Sequence, residues 1–146
     1  MKYKVMIVED QTMPRELFEL RVQASERFEL ALSIDNAALA DVYCLRFPVD
    51  LILMDVITRD GENGLDAAAR IKRAFPQIKI IIVTSMPECS YLKRAKEIGV
   101  ESFWYKEEQR ESLLDVMERT MNGESVYPGA SPELTLGMAS SYQFTE

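Results

Sequence analysis

Histidine is absent from all 146 residues of the chain, and cysteine occurs only twice. Without histidine, the chain cannot form a catalytic triad, a histidine-ligated zinc site or an imidazole acid–base catalyst of its own. Cys44 and Cys89 fall in segments predicted to be helical and lack the CxxC or Cys/His spacing of a metal or redox site. We therefore expect no function based on a disulfide or on thiolate ligands.

Long apolar runs and an excess of positive charge are also missing. No stretch approaches the roughly 20 apolar residues of a membrane-spanning helix, and the N-terminus lacks the basic and then apolar pattern of a signal peptide. We expect a cytoplasmic protein with no membrane contact. The net charge of −7 argues against direct nucleic-acid binding by this chain, because such binding rests on neutralising phosphates.

Five strand-like runs alternate with five helix-like segments along the chain. The strand-like runs are short and apolar and cover 4–8, 28–34, 51–54, 78–83 and 100–105. Regular alternation with short links predicts one α/β domain, in which helices cover both faces of a doubly wound, five-stranded parallel sheet. In the first helix, which begins near Pro14, we expect the buried face to consist of Leu17, Phe18, Leu20 and Ala24.

Polar residues follow the ends of the predicted strands. Asp35 ends the second strand, and we interpret it as the cap of the next helix. Ligands of parallel sheets bind at the carboxyl ends of the strands, so we expect the polar residues at the other four strand ends to form one site. These residues are Glu9 and Asp10 after the first strand, Asp55 after the third, Thr84 and Ser85 after the fourth, and Lys106 after the fifth.

The chemistry of these residues indicates a metal-assisted phosphoryl site. Three carboxylates on neighbouring strands repel one another unless a cation lies between them. Carboxylate oxygens with several waters suit Mg²⁺, while a lysine and a hydroxyl add donors for other anionic oxygens. In such a site Asp55 would be the nucleophile.

This order of an acidic pair, an aspartate, a Thr/Ser pair and a lysine resembles the receiver domain of bacterial two-component response regulators. The resemblance covers about residues 2–123. It implies a flavodoxin-like (βα)5 fold with strand order 2-1-3-4-5, a receiver domain over 1–122 and a linker over 123–146. It also implies that a sensor histidine kinase phosphorylates Asp55, that Thr84 and Lys106 contact the phosphoryl oxygens, and that Mg²⁺ is bound by Asp10, Asp55, the Ile57 carbonyl and, through water, Glu9.

The resemblance extends to regulation and output. It places Phe103 at the position of the family's switch aromatic and implies a homodimer on phosphorylation, with no enzymatic activity beyond the domain's own phosphorylation and dephosphorylation. Ile57 and Met86 would flank the approach of water, and since both are apolar we expect slow loss of the phosphoryl group. The segment GESVYPGASPEL resembles a connector to a LuxR-type DNA-binding domain, absent here, through which alone DNA would be bound and transcription regulated.

Strand alternation makes a further prediction for the aromatic run at 103–105. It sends Phe103 and Tyr105 to one face of the sheet and Trp104 to the other. We expect two of the three side chains in the core. The alternative is that one lies on the surface formed by the fourth helix, fifth strand and fifth helix, where such domains commonly pair.

Departures from the family pattern keep a second hypothesis open. The stretch VITRDGENG after Asp55 lacks the usual proline and is a residue longer before Gly64, and Glu107 replaces the proline that usually provides a cis peptide bond after Lys106. The alternative is a degenerate receiver acting as a phosphorylation-independent interaction module. An aspartyl phosphatase would want a second aspartate at the position of Ile57, and a flavin carrier would need a glycine-rich phosphate loop in place of EDQTMPRE.

Overall fold

Short runs of aliphatic residues form the strands, and the amphipathic segments between them form the helices. The computed structural model describes residues 1–85, 88–107 and 112–128. Within them the order is β1 Tyr3–Val8, α1 Thr12–Ala24, β2 Phe28–Ile34, α2 Ala40–Arg46, β3 Leu51–Met54, α3 Gly64–Ala74, β4 Lys79–Thr84, α4 Cys89–Ile98, β5 Ser102–Tyr105 and α5 Leu113–Met121. Short 3-10 turns at Ala37–Leu39 and Arg59–Gly61 precede α2 and α3.

All neighbouring strands pair in parallel, in the order β2-β1-β3-β4-β5. This arrangement confirms the expected doubly wound, flavodoxin-like sheet with strand order 2-1-3-4-5. Helices α2, α3 and α4 cover one face of the sheet, and α1 and α5 cover the other. Among the described helices, none combines the length and the apolar composition that crossing a lipid bilayer requires.

The central strand of the sheet, β3, is buried on both faces. Ile52 and Met54 point into the layer under α2–α4, whereas Leu51 and Leu53 point into the layer under α1 and α5. All four side chains of β3 are fully buried. Each such aliphatic side chain contributes about 1.5–3 kcal/mol when removed from water, so β3 gives Asp55 a rigid support.

Helix α1 buries a different face from the one expected. Phe18 and Val22, spaced four residues apart, are its buried residues, while Leu17 and Leu20 are 49% and 62% exposed. Ala24 is exposed as well, so the predicted face is correct only for Phe18. Apolar residues lie around much of this helix, and packing against the sheet selects the buried side. Part of that contact is Trp104, whose ring centroid lies 6.4 Å from that of Phe18.

The aromatic run of β5 alternates as expected. Phe103 and Tyr105 enter the core under α2–α4, and Trp104 enters the opposite core under α5. All three side chains are at least nine-tenths buried. The structure thus assigns all three to the core, and none of them forms part of the α4–β5–α5 surface in this conformation.

The chain returns to the sheet after α5. The Phe103 N–H donates to the Val126 carbonyl at 2.9 Å, and the Val126 N–H donates to Ser102 Oγ at 3.0 Å. The Tyr127 hydroxyl donates to the Val100 carbonyl at 2.7 Å, and its ring lies 6.1 Å from that of Phe103. The boundary at 122/123 remains a prediction, but residues just beyond it pack on β5; the rest of the predicted linker, 129–146, lies outside the described residues.

Gly64 allows α3 to begin directly against the end of β3. Its N–H donates to the Val56 carbonyl at 2.6 Å. A Cβ atom at this position would collide with the backbone of Asp55 and with the Met54 side chain. Glycine at residue 64 is therefore a requirement for holding Asp55 where it lies.

We predict that Gly64→Ala lowers the free energy of unfolding by about 3 kcal/mol, because overpacking forces the backbone to move. Gly61→Ala is the matched control: it has a φ of 74° but nothing within 4 Å of the added Cβ, so its expected cost is the left-handed strain of about 1 kcal/mol. Urea unfolding measures both variants. Equal losses would contradict the close approach of α3 to Asp55.

Candidate functional site

The parallel sheet brings Glu9, Asp10 and Asp55 together. Glu9 and Asp10 follow β1, and Asp55 follows the neighbouring strand β3, with the Asp55 N–H bonded to the Val8 carbonyl at 3.0 Å. One carboxylate oxygen of each residue lies within 4.8 Å of the others. Glu9 is fully buried and Asp55 is 8% exposed, whereas Asp10 is half-buried.

Lys106 joins this cluster from the end of β5. Its Nζ lies 2.6 Å from Glu9 Oε1 and 3.1 Å from Asp55 Oδ2. Its backbone N–H donates to the carbonyl of Thr84, which ends β4 and is 1% exposed. Thus five of the six residues expected at four strand ends lie together at the carboxyl end of the sheet, and the sixth, Ser85, is exposed.

Backbone groups orient the two buried carboxylates. The Val56 N–H donates to Asp55 Oδ1 at 2.8 Å, so Asp55 accepts from a fixed amide on one oxygen and from Lys106 on the other. The Gln11 N–H donates to Glu9 Oε2 at 3.2 Å. These bonds hold both carboxylates in fixed rotamers before any ligand arrives.

The pKa of Asp55 is raised from 3.8 to about 7. Burial is the main cause, because a carboxylate loses hydration away from water, and the neighbouring Glu9 carboxylate raises the pKa further. The Lys106 ammonium opposes both effects. The pKa of Lys106 is itself raised above its ordinary value: burial lowers it, but the charges and hydrogen bonds of Asp55 and Glu9 outweigh that cost.

The donor set fits a hard divalent cation. Three carboxylates face a single ammonium, which leaves an excess of two negative charges when all groups are ionised. Mg²⁺ carries the matching charge and prefers a few carboxylate oxygens with water in its remaining positions. Asp10, the least buried of the three acids, leaves room for that water.

The backbone of Ile57 is held beside Asp55 by a short antiparallel bridge between Ile57 and Asn63. The two hydrogen bonds of this bridge run from the Gly64 N–H to the Val56 carbonyl and from the Thr58 N–H to the Glu62 carbonyl. Neither involves the Ile57 carbonyl, which suits its expected role as a metal ligand. The Ile57 side chain is 47% exposed.

The loop after Asp55 is tied to the loop after β2. Asp35, expected to cap α2, instead pairs with Arg59 at 2.7 Å, and its carbonyl accepts from the Arg59 N–H. The side-chain cap is Asn36, which precedes the 3-10 turn at Ala37–Leu39 and accepts from the Ala38 N–H at 2.8 Å, whereas α2 itself begins without a side-chain cap. The interpretation of Asp35 was therefore wrong, because an ion pair with a residue 24 positions away leaves no local sequence pattern.

Sequence reasoning also missed Thr58. This residue is 2% exposed, and its hydroxyl accepts from the Ala37 N–H and donates to the Glu62 carbonyl, both at 2.9 Å. The one signal in the sequence that could have singled out Thr58 is its position directly after the expected metal ligand Ile57. Met86, expected to flank the approach of water, lies outside the described residues, and among the described residues no peptide bond is cis.

Comparison with known proteins identifies the family of the chain. The model of the response regulator receiver domain matches residues 5–118. The response regulator protein VraR of Staphylococcus epidermidis is 31% identical over 138 residues, which cover 94% of this chain and 64% of that protein. The chain therefore spans less than two thirds of the length of this relative.

Solved structures agree with the same architecture. A DNA-binding response regulator of the LuxR family from Staphylococcus aureus has a TM-score of 0.74 at 25% identity, covering 81% of this chain and 98% of that one. The isolated REC domain of RcsB from Salmonella enterica serovar Typhimurium, solved with phosphomimetic BeF3⁻, has a TM-score of 0.79 at 15% identity and covers 88% of this chain and 94% of that one. At that identity the second likeness concerns the fold alone.

The raised pKa of Asp55 predicts a pH-dependent gain in stability for Asp55→Asn in metal-free buffer. The folded protein binds the Asp55 proton more tightly than the unfolded chain, so ionisation of Asp55 lowers wild-type stability as pH rises from about 4 to about 7. The asparagine has no such proton to lose. Relative to wild type, the free energy of unfolding of Asp55→Asn should therefore rise by on the order of 4 kcal/mol between pH 4 and pH 7.5.

Urea unfolding of both proteins across this pH range, with a chelator present, measures the difference directly. A difference between Asp55→Asn and wild type that stays constant from pH 4 to pH 7.5 would contradict the electrostatic account of the site.

Proposed function

Because the chain belongs to the family of response regulator receiver domains, we propose that Asp55 accepts a phosphoryl group from the phosphohistidine of a sensor histidine kinase. The observation that carries the proposal is the placement of Lys106 against Asp55 at 3.1 Å, with Asp10 and Glu9 beside them. In the transfer, an Asp55 oxygen forms a bond to phosphorus while the bond from phosphorus to the kinase imidazole nitrogen breaks. The electron pair of that bond leaves with the imidazole.

The nucleophile needs no separate base. An ionised Asp55 already carries the electron pair that attacks, and the raised pKa implies that a cation close to the site promotes ionisation. Lys106 is placed to pair with the anionic oxygens that arrive. Thr84, at the neighbouring strand end, is the proposed hydroxyl donor to those oxygens.

Glu9, Asp10, Asp55 and the Ile57 carbonyl are the proposed Mg²⁺ ligands, with Glu9 acting through water. When bound, Mg²⁺ would neutralise the carboxylates and the charge of the phosphoryl oxygens. Glu9 is the acid bonded at 2.6 Å to the ammonium, which supports an indirect role, whereas half-buried Asp10 is better placed for direct contact.

The proposed output follows from the relatives. The Staphylococcus aureus structure at 25% identity is a DNA-binding response regulator, so we propose that phosphorylation of this chain controls a DNA-binding domain attached beyond the linker and favours a homodimer. Receiver domains of this family are generally not classical enzymes. The domain would catalyse only its own phosphorylation and dephosphorylation.

Acetyl phosphate tests the phosphoacceptor. We predict that acetyl phosphate with Mg²⁺ adds one phosphoryl group to wild type, that Asp55→Asn abolishes the addition and that Asp10→Asn weakens Mg²⁺ binding about tenfold, equivalent to about 1.4 kcal/mol. Asp60→Asn is the control, since Asp60 lies on the exposed turn at 59–61. Intact-mass spectrometry measures the phosphorylated fraction, and calorimetric titration measures Mg²⁺ affinity.

Full phosphorylation of Asp55→Asn would refute the assignment of Asp55. The degenerate interaction module would instead be favoured if wild type takes no phosphoryl group from acetyl phosphate or a kinase and nevertheless binds a protein partner.

The lifetime of the phosphoryl group is predicted to depend on the Ile57 side chain. This exposed apolar group cannot hold a water by hydrogen bonding, so Ile57→Asn should speed dephosphorylation about fivefold by positioning the attacking water. Adding Met86→Glu should speed it further. Ile57→Leu is the matched control and should keep the wild-type rate; mass spectrometry after removal of acetyl phosphate follows the decay. An unchanged rate in the double variant would contradict the prediction.

A further inference from the structure

Thr58 is a buried polar residue, whereas residues 59–62, which follow it in the same loop, are exposed. Its side chain and backbone make three hydrogen bonds: Oγ1 accepts from the Ala37 N–H, Oγ1 donates to the Glu62 carbonyl, and the Thr58 N–H donates to that same carbonyl, each at 2.9 Å. Ala37 is fully buried. One hydroxyl thus joins the loop after β3 to the first turn that precedes α2.

The hydrogen bonds of Thr58 separate the loop into two parts. On one side, Asp55, Val56 and Ile57 form the site itself. On the other, the turn Arg59–Gly61 holds the left-handed residues, Asp60 with a φ of 63° and Gly61 with a φ of 74°. The irregular conformation of this long loop therefore lies beyond Thr58 and is kept away from the site residues.

The distance along the chain from Thr58 to the site is a single peptide. The Ile57 carbonyl belongs to the peptide group whose nitrogen is that of Thr58, so the bond from the Thr58 N–H to the Glu62 carbonyl constrains the plane of that peptide. The hydroxyl prevents this segment from sliding, because moving it would leave the buried Ala37 N–H without an acceptor. We propose that Thr58 is a positioning residue that aims the Ile57 carbonyl at the Mg²⁺ site.

This inference rests on the proposed function, since it assigns Thr58 to the binding of the same cation. Residues that orient metal ligands commonly change metal affinity when they are replaced, although they do not touch the metal. In this inference Thr58 orients a backbone ligand, the Ile57 carbonyl. The direction of that carbonyl is set by the plane of its peptide group, whereas the direction of a side-chain ligand is set by its rotamer.

The test compares Mg²⁺ affinities in the full chain by calorimetric titration. Thr58→Val keeps the shape and removes the hydroxyl, and it should raise the Mg²⁺ dissociation constant about tenfold. Thr58→Ser restores the hydroxyl and should return the affinity to that of wild type. Thr120→Val is the matched control, because Thr120 is an equally buried, hydrogen-bonded threonine on α5, and it should leave Mg²⁺ affinity unchanged despite a similar loss of stability.

Hydrogen exchange of the Ala37 amide in metal-free protein gives a second measurement, and it should be faster in Thr58→Val. If Thr58→Val shows faster exchange but keeps the wild-type Mg²⁺ affinity, the inference is overturned while the proposed function stands. An equal loss of affinity in Thr120→Val would have the same meaning. Failure of wild type to bind Mg²⁺ would contradict the proposed function and, with it, this inference. If Thr58→Val does not fold, Thr58→Cys replaces it, and a wild-type dissociation constant there would overturn the inference.

Discussion

One ammonium group makes the arrangement of the whole site possible. Glu9 and Asp55 are both buried on neighbouring strands, and their charges oppose each other at close range. Lys106, carried by β5 at the far side of β4, brings the compensating charge at 2.6 Å and 3.1 Å. Loss of Lys106 would leave two buried carboxylates without a counter-charge, which costs about 3–5 kcal/mol, so the corner after β5 is coupled to the ends of β1 and β3 through this ammonium.

The two buried acids differ in what fixes them. Glu9 is fully enclosed and is held by Lys106 and the Gln11 amide, so its charge serves the interior of the site. Asp55 accepts from Val56 and Lys106 but keeps 8% of its surface open. Solvent reaches the site beside Asp10 and Ile57. The sheet thus provides one acid for holding charge inside and another that a ligand can reach.

The sheet and the membership of the site could be predicted because both depend on patterns along single segments. A buried strand such as Leu51–Met54 is a continuous apolar run, and parallel pairing alone places Glu9, Asp55 and Lys106 at one edge. The buried face of α1 could not be predicted, because apolar residues lie around much of the helix and only its packing on the assembled sheet selects Phe18 and Val22.

Contacts between loops that are distant in sequence could not be predicted either. Thr58 with Ala37 and Asp35 with Arg59 join segments that are more than 20 residues apart, and none of these side chains differs in type from an ordinary loop residue. The same holds for Tyr127, which lies in a Ser-, Gly- and Pro-rich stretch but inserts its ring beside Phe103. Composition describes how a segment behaves when isolated, and these segments are not isolated.

The return of the chain along β5 also bears on self-association. An edge strand presents unpaired amides that can recruit another chain, and β5 is one of the two edges of this sheet. The Val126 carbonyl accepts a hydrogen bond from the Phe103 N–H of this edge, and Tyr127 packs beside it with its hydroxyl bonded to the Val100 carbonyl. A polypeptide truncated after residue 122 would leave the Phe103 N–H of β5 unpaired. The first residues beyond α5 therefore protect this edge from the addition of a strand of another molecule and from aggregation.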